Sequence, residues 1–153
     1  MAFYQLKFTQ FLPAPTDQVW DFIATPRNLK RITPSYMGFD ILTKELSEKM
    51  YQGMMIAYTV RPVLHIPLTW VTEITHIREG YYFVDEQRVG PYTLWHHEHR
   101  IVPVQGGTLM HDLVSYVPPL GWLGQWMHPW LIRPRLNEIF EFRRIALEDI
   151  FGK

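Results

Sequence analysis

Six strand-like segments with short turns between them fill the middle of the chain, and they limit the fold more than any other feature. Between residues 37 and 118 apolar and polar side chains alternate in short segments, which is the period of a β-strand. The turns between them contain glycine, proline or adjacent charged residues, and successive strands joined by such turns pair antiparallel. The sequence therefore predicts a meander with strands at 38–45, 50–60, 66–77, 81–88, 92–103 and 108–117.

One strand and two short helices are predicted before this meander. Residues 3–11 alternate between apolar and polar side chains and are rich in aromatic and β-branched residues, so they predict a first strand. The proline-rich residues 13–16 end that strand and begin an amphipathic helix, which stops at the next proline, Pro26. A second helical turn is predicted at residues 28–31.

A single long helix is predicted at the C-terminal end, from near Pro134 to about Phe151, or roughly 25 Å at 1.5 Å per residue. Strands with an apolar face need cover, and this helix is the available partner. We therefore expect an α+β fold in which a seven-stranded curved antiparallel sheet wraps around the C-terminal helix, with the two short helices between strands 1 and 2. A curved sheet around one helix leaves space between them, so the arrangement predicts an internal cavity.

Length and composition exclude several functions. The chain has 153 residues, which suits one domain over 1–153 and buries about 69% of its surface. Fifteen basic residues balance fifteen acidic ones, which argues against a nucleic-acid partner. The absence of cysteine excludes disulfides, thiolate nucleophiles and Cys-ligated metals. We find neither a signal-peptide pattern nor an apolar run long enough to span a bilayer, so we expect a cytoplasmic protein.

Several motifs distributed over nearly the whole chain resemble one superfamily. They are Pro-Ala-Pro-Thr-Asp-Gln-Val-Trp-Asp-Phe at 13–22, Pro-Leu-Thr-Trp at 67–70, Phe-Val-Asp-Glu-Gln at 83–87, Trp-x-His-x-His at 95–99, and Phe-x-Phe-Arg-Arg at 140–144. With them the chain resembles the SRPBCC or START-like superfamily, which includes the birch-pollen allergens, polyketide cyclases and lipid-transfer domains, and within it a bacterial ligand-binding subgroup without a settled activity. The resemblance implies a helix-grip fold.

The two-residue period of a strand sorts the candidate site residues into faces. Three sets share the face that we assign to the inside of the sheet: Phe83, Asp85 and Gln87; Trp95, His97, His99 and Ile101; and Met110, Asp112, Val114 and Tyr116. We expect these residues, except Ile101 and together with Trp70, to line the ligand cavity. Five polar or charged side chains would then meet within an aromatic lining, where buried polar groups need hydrogen bonds, water or a ligand.

Arg143 is expected to belong to the same cavity. At 100° per residue it projects from the apolar side of the C-terminal helix, away from the charged residues. Its charge cannot be shed, so it needs an acidic partner or an anionic ligand. We expect it to reach Asp85, Asp112 or the polar end of a ligand. The alternatives are an internal Arg–Asp bridge that only fixes the helix on the sheet, and a side chain that snorkels to water.

The histidines admit two kinds of chemistry. His97 and His99 point to one side of a strand, and Asp85 or Asp112 could add a third metal ligand, but a His-x-His pair alone is a weak signal. A hydrogen-bonded pair is favoured, and neither a metal nor a cofactor is predicted. A histidine beside an aspartate is also the minimal acid–base pair, so His97, His99, Asp85 and Asp112 are the catalytic candidates.

An aromatic segment precedes the C-terminal helix. Its apolar residues are Leu120, Trp122, Leu123, Trp126, Met127 and Trp130. Packing against the rim of the sheet and the long helix is favoured. The alternatives are a lid over the cavity, a surface that touches a membrane without stable insertion, and a homodimer interface.

Three functions follow from this interpretation. The favoured one is a binding module that encloses a small, largely hydrophobic or amphipathic molecule with a polar or anionic end. The first alternative is an enzyme of the cyclase, dehydratase or hydrolase type that uses a His/Asp pair in the same cavity. The second is a regulatory interaction domain. It is suggested by the resemblance, because the subgroup also occurs as a domain fused to sugar-epimerase-like reductases.

Overall fold

The structure contains one antiparallel sheet. The computed structural model describes residues 1–62 and 64–153, and these residues form a sheet of seven strands. The strands are β1 (Tyr4–Leu12), β2 (Asp40–Ile41), β3 (Met55–Val60), β4 (Leu68–Arg78), β5 (Tyr82–Val89), β6 (Leu94–Val104) and β7 (Gly107–Val117). Their order across the sheet is β1-β7-β6-β5-β4-β3-β2, so the first strand pairs with the last, and the other six form the predicted meander.

Strands β4 to β7 lie close to their predicted bounds. The prediction of a strand at 38–45 is wrong for most of those residues. Only Asp40–Ile41 pairs with β3. The ladder ends there because the N–H groups of Leu42 and Thr43 both donate to the carbonyl of Ala57, at 2.8 and 3.3 Å. Two residues then face one partner residue, which breaks the register of an antiparallel pair.

The strand predicted at 50–60 begins five residues late, at Met55. The residues before it form a turn in which the N–H of Met54 donates to the carbonyl of Tyr51 at 3.1 Å. Gly53 has a φ of +87°, which a residue with a side chain rarely adopts. The alternation of apolar and polar residues therefore begins before the strand does, because the chain turns at Gly53 and pairs as a strand only from Met55.

Short helices connect β1 to β2 as expected. Helix α1 (Thr16–Ile23) buries Val19, Trp20, Phe22 and Ile23, which is the predicted apolar face. Two 3₁₀ turns follow it, at Pro26–Ile32 and Ser35–Met37, where the sequence predicts one helical turn.

The C-terminal helix is longer than predicted. A continuous helical segment of 31 residues runs from Gly121 to Phe151, as α2 (Gly121–Met127), a wide π turn (His128–Ile132) and α3 (Arg133–Phe151). Prolines at 129 and 134 each lack an N–H and crowd the preceding turn. The helix accommodates them by widening: the N–H of Arg133 donates to the carbonyl of His128, five residues back.

Helix α3 lies on the inner face of the sheet. Its buried residues are Leu136, Phe140, Arg143 and Leu147, which share one side of the helix. The ring of Phe140 stacks on that of Phe8 in β1, with centroids 4.3 Å apart. Two irregularities in the register between β4 and β5 bend the sheet on the side away from β1. Among the described helices, none is both long enough and apolar enough to cross a bilayer.

Candidate functional site

A cavity of about 500 Å³ lies between the inner face of the sheet and the helices. Strands β3 to β6, the 3₁₀ turns, α2, the π turn and α3 all contribute to its wall, which is mostly apolar. Trp70 connects the aromatic part of this wall: its ring centroid lies 6.2 Å from that of Tyr58 and 5.4 Å from that of Trp95. The volume is within the range of small-molecule sites, about 300–1,000 Å³.

One cluster of titratable side chains interrupts the apolar wall, to which α3 also contributes another charged residue, Arg135. Strand pairing places Asp85 of β5 opposite His97 of β6, and His99 of β6 opposite Asp112 of β7. Arg143 reaches the same place from α3. We call these five residues the polar cluster. Asp85, His97, His99 and Arg143 belong to the cavity wall, and Asp112 is buried behind the two histidines.

The shortest contacts in the polar cluster run diagonally between strands. His97 Nε2 is 2.8 Å from Asp112 Oδ1, and His99 Nε2 is 2.5 Å from Asp85 Oδ2. His99 Nδ1 lies 3.2 Å from Asp112 Oδ1, and His97 Nδ1 lies 3.5 Å from Asp85 Oδ2. The two imidazoles are neighbours, with ring centroids 3.7 Å apart. Each histidine therefore faces one carboxylate with each of its ring nitrogens.

Both carboxylates have pKa values below their usual range. Burial raises the pKa of Asp112, but the charge of Arg143 and hydrogen bonds from His97 and His99 outweigh it and hold that pKa well below 3.8. Burial also raises the pKa of Asp85, which the hydrogen bond from His99 and the nearby positive charges lower below 3.8. Both aspartates are therefore anions at neutral pH.

The two histidines differ in the direction of their pKa shifts. Burial and the neighbouring His99 lower the pKa of His97. Burial also lowers the pKa of His99, but its hydrogen bonds to Asp112 and Asp85 outweigh burial and raise it above 6.5. The cluster therefore holds a proton more readily on His99. With His99 charged, two cations face two anions and the polar cluster carries no net charge.

Several of the residues predicted to line the cavity do so. Trp70, Phe83 and Trp95 lie on its wall with Asp85, His97, His99 and Arg143. Phe83 stacks on the ring of His99 at 4.1 Å, which fixes the imidazole against the sheet.

The prediction needs correction for the residues of β7 and for Gln87, which are outside the wall. Met110 packs in the core with helix α1, while Val114 and Tyr116 pack with Leu136 and Phe140. Asp112 is also behind the wall. The reason is that α3 and the core cover this end of the inner face, so sharing a face with His97 does not mean sharing the cavity.

Gln87 has a different role from the predicted one. Its side-chain amide donates to the carbonyl of Tyr92 at 2.7 Å, and its oxygen accepts from the N–H of Tyr92 at 3.0 Å. Gln87 thus fixes the loop between β5 and β6. Tyr92, which this loop positions, is on the cavity wall.

Sequence reasoning missed wall residues from β3 and from the helices. The wall includes Ile56, Tyr58 and Val60, which alternate along β3, and Leu136, Ile139 and Phe140 of α3. The two-residue period of β3 was a usable signal for the first three. The sequence contains no comparable signal for Leu136, Ile139 and Phe140, because the apolar side of α3 covers both the core and the cavity.

The tryptophans of α2 and the π turn point outward, so their predicted packing against the sheet is wrong. Trp122, Trp126 and Trp130 are 79%, 62% and 58% exposed. They stand four residues apart on one side of the helix, whereas Gly124, Met127 and Leu131 face the cavity. Since the segment is helical, its other side, and not its tryptophans, covers the sheet.

His128 anchors this helical segment on the sheet. It is buried, its Nε2 lies 2.7 Å from the hydroxyl of Tyr116, and its ring stacks on that of Tyr4 at 3.6 Å. Burial lowers the pKa of His128. The sequence pattern did not single out this residue.

The polar cluster can do three kinds of chemistry. Its charged groups can bind the polar end of a ligand, and the His99–Asp85 pair can transfer a proton. Asp85, His97 and His99 also place one ligand atom each within 4.8 Å of one another, which is close enough to hold a metal ion.

Comparisons with known structures confirm the fold. The Zhui aromatase/cyclase of a Streptomyces species superposes with a TM-score of 0.74 at 16% identity over 95% of this chain and 92% of that one. A START superfamily protein of Mycobacterium smegmatis gives 0.72 at 15% identity over 96% of both chains. An uncharacterized protein of Rhizobium leguminosarum gives 0.71 at 12% identity over 97% and 96%. At these identities the likeness shows the helix-grip fold alone.

The family is shown by the sequence itself. No curated protein matches the chain. A family model described as polyketide cyclase/dehydrase and lipid transport matches residues 12–141, which include strands β2 to β7 and the first nine of the nineteen residues of α3. The expected resemblance to the START-like superfamily is thereby confirmed, and the chain belongs to the polyketide cyclase/dehydrase and lipid transport family.

Proposed function

We propose that the chain binds a small, largely hydrophobic molecule with a polar or anionic end. The observation that carries this proposal is the distribution of polarity around the cavity: aromatic and aliphatic side chains form most of the wall, and the polar cluster occupies one part of it. An apolar cavity with a few convergent polar groups is typical of small-molecule sites. The apolar body of the ligand would contact the aromatic wall, and its polar end would contact the polar cluster.

Two unpaired donors support a ligand with acceptor oxygens. Trp70 Nε1 and Arg143 Nε are buried and have no hydrogen-bond partner among the described residues. Both residues belong to the cavity wall. An unpaired buried donor is costly, so an acceptor on the ligand near these side chains would recover part of that cost.

A matched pair of substitutions on α3 tests this proposal. Ile139 lines the cavity, whereas Ile145 is exposed on the same helix. Ile139→Trp would fill part of the cavity, and Ile145→Trp adds the same ring outside it. We expect 1-anilinonaphthalene-8-sulfonate, an apolar probe with an anionic end, to bind the unmodified protein and Ile145→Trp but to lose most of its affinity for Ile139→Trp. Equal binding by all three, or by none, would contradict the proposal.

A second candidate function is acid–base catalysis in the same cavity. It is favoured by one observation: the 2.5 Å contact between His99 Nε2 and Asp85 Oδ2 lies on the cavity wall, where a substrate could reach it. The candidate reactions are dehydration, cyclisation and hydrolysis. Turnover with a bell-shaped pH profile, abolished in a folded Asp85→Asn variant, would support this function. Turnover that is unchanged in that variant would exclude the pair.

A further inference from the structure

The inner nitrogens of the two histidines face the same carboxylate. His97 Nδ1 and His99 Nε2 lie 3.5 and 2.5 Å from Asp85 Oδ2, and the three atoms lie within 4.8 Å of one another. Around an ion with bonds of about 2.0–2.2 Å, two nitrogens and a carboxylate oxygen stand roughly 3–4 Å apart. Displacements of about 1 Å, chiefly of the Asp85 carboxylate, would convert the observed arrangement into a coordination shell.

The outer nitrogens of both histidines face a second, buried carboxylate. His97 Nε2 and His99 Nδ1 lie 2.8 and 3.2 Å from the same oxygen, Asp112 Oδ1. A histidine that binds a metal through one nitrogen almost always donates its other N–H to a carboxylate, a carbonyl or water, which fixes the tautomer and orients the ring. Asp112 supplies this contact to both rings at once. This second carboxylate is absent from the simple His-x-His pattern in the sequence.

Asp85 is the most exposed of the three residues and belongs to the cavity wall. Its side chain is 19% exposed, whereas those of His97 and His99 are 6% and 2% exposed. An ion held by these three residues would keep coordination positions on the cavity side for water or a ligand oxygen. Two histidines, one carboxylate and open positions form a ligand set that binds Zn²⁺ or Fe²⁺ in enzymes.

We propose that Asp85, His97 and His99 bind a divalent transition-metal ion at the polar end of the cavity, with Asp112 orienting both imidazoles. On binding, a proton on His99 Nε2 leaves to solvent, and Nδ1 carries the remaining proton toward Asp112 Oδ1 at 3.2 Å. Arg143 Nη2, a donor 3.1 Å from Nδ1, would then turn to donate to Asp112 Oδ1 instead. His97 keeps its proton on Nε2, where it also donates to Asp112, and coordinates through Nδ1. Both contacts to Asp112 are therefore compatible with the bound state.

Arg143 is placed so that it does not compete with the ion. Its Nη2 lies 3.4 Å from Asp112 Oδ1 and 3.1 Å from His99 Nδ1, on the outer side of the ring and not beside the coordinating Nε2. With neutral imidazoles, the two carboxylates, the guanidinium and a divalent ion leave one net positive charge. The bound ion would therefore favour a ligand with an anionic oxygen.

Metal titration tests this inference. The chelator-treated protein is titrated with Co²⁺, followed by its visible absorption, and with Zn²⁺ in equilibrium dialysis with elemental analysis. We expect one ion per chain, and a Co²⁺ spectrum that reports nitrogen ligation. His97→Ala and His99→Ala should each weaken binding strongly, and Asp112→Asn should weaken it about 10- to 100-fold through the orientation of the rings.

His96→Ala is the matched control. His96 is on the same strand but points to the other side of the sheet, where its Nδ1 contacts Glu86 at 2.6 Å. We expect this variant to bind metal like the unmodified protein. If the His97 or His99 variants fail to fold, Asp85→Ala takes their place, because Asp85 is the least buried of the three. No stoichiometric binding, or undiminished binding by Asp85→Ala, would overturn the inference.

The inference is independent of the proposed function, and the two can fail separately. If the chelator-treated protein binds the apolar probe and neither Co²⁺ nor Zn²⁺ binds, the metal site is excluded and the ligand cavity stands. If metal binds with the expected variant pattern but Ile139→Trp does not affect probe binding, the metal site stands and the cavity does not hold the probe.

Discussion

Asp112 of β7 and Arg143 of α3 meet at the buried boundary between the sheet and the C-terminal helix, with Oδ1 and Nη2 3.4 Å apart. Both side chains are about nine-tenths buried. Asp112 also contacts both histidines of the polar cluster. The Asp112 carboxylate thus contacts α3 through Arg143, and it also contacts the two histidines that β6 contributes to the cavity wall.

Removal of the Arg143 charge should destabilise the fold. Arg143→Met leaves Asp112 buried with only the histidines as partners, and we expect a loss of about 3 kcal/mol in the free energy of unfolding. Arg144→Met is the control, because Arg144 pairs with Glu141 and Glu148 at the surface. We expect this control to be nearly neutral. Chemical denaturation measures both, and equal losses in the two variants would contradict a structural role for the buried pair.

Acid should unfold the metal-free protein in a way that depends on Asp112. The pKa of Asp112 is lower in the folded than in the unfolded chain, so the unfolded chain takes up its proton first. The stabilisation is therefore present above the unfolded pKa of about 3.9 and is lost as the pH falls below it, toward the folded pKa. The free energy of unfolding of chelator-treated Asp112→Asn should fall less steeply below about pH 4 than that of the unmodified protein. Parallel slopes would contradict this assignment.

The outward tryptophans should contribute little to the stability of the isolated chain. Trp126 is 62% exposed, and its main aromatic contact is with the equally outward Trp130 at 4.7 Å. We expect Trp126→Ala to change the free energy of unfolding by about 0.5 kcal/mol or less. Phe140→Ala, at a buried position of α3, should cost about 3–5 kcal/mol. Comparable losses in denaturant titrations would show that the tryptophan face is covered in solution.

The hydrogen bond between Tyr116 and His128 should stabilise the start of the long helix. Tyr116→Phe leaves a buried ring nitrogen without its partner, and we expect a loss of about 1–3 kcal/mol. Tyr51→Phe removes a hydroxyl from an exposed side chain and should be neutral. Thermal unfolding of the two variants makes the comparison. A neutral Tyr116→Phe would show that stacking on Tyr4, and not the hydrogen bond, holds His128.

Local patterns predicted the fold and the polar cluster because both depend on strand periodicity. Alternation placed Asp85, His97 and His99 on one face, and antiparallel pairing of consecutive strands made Asp85 and His97 direct neighbours. The position of Arg143 followed from the helical period in the same way. These periods need no knowledge of distant contacts.

The parts that failed depend on packing between distant segments. The period of β7 places Val114 and Tyr116 on the inner face but does not show that α3 covers them there. The sequence predicts a helix from near Pro134, whereas the structure has a helical segment from Gly121 with a π turn anchored by the contact of His128 with Tyr116. The tryptophan face then points outward because the helix begins thirteen residues before its predicted start.

The central claim is that an apolar ligand occupies the cavity with its polar end at the polar cluster. Photocrosslinking with a medium-chain fatty acid that carries a diazirine at its apolar end, followed by peptide mass spectrometry, tests this claim most directly. We expect labelled peptides from the aromatic wall, in β3 and β4. The Ile139→Trp variant, whose cavity is partly filled, should be labelled much less at these positions. Labels confined to the outward face around Trp122 and Trp126, or no specific label, would contradict the account.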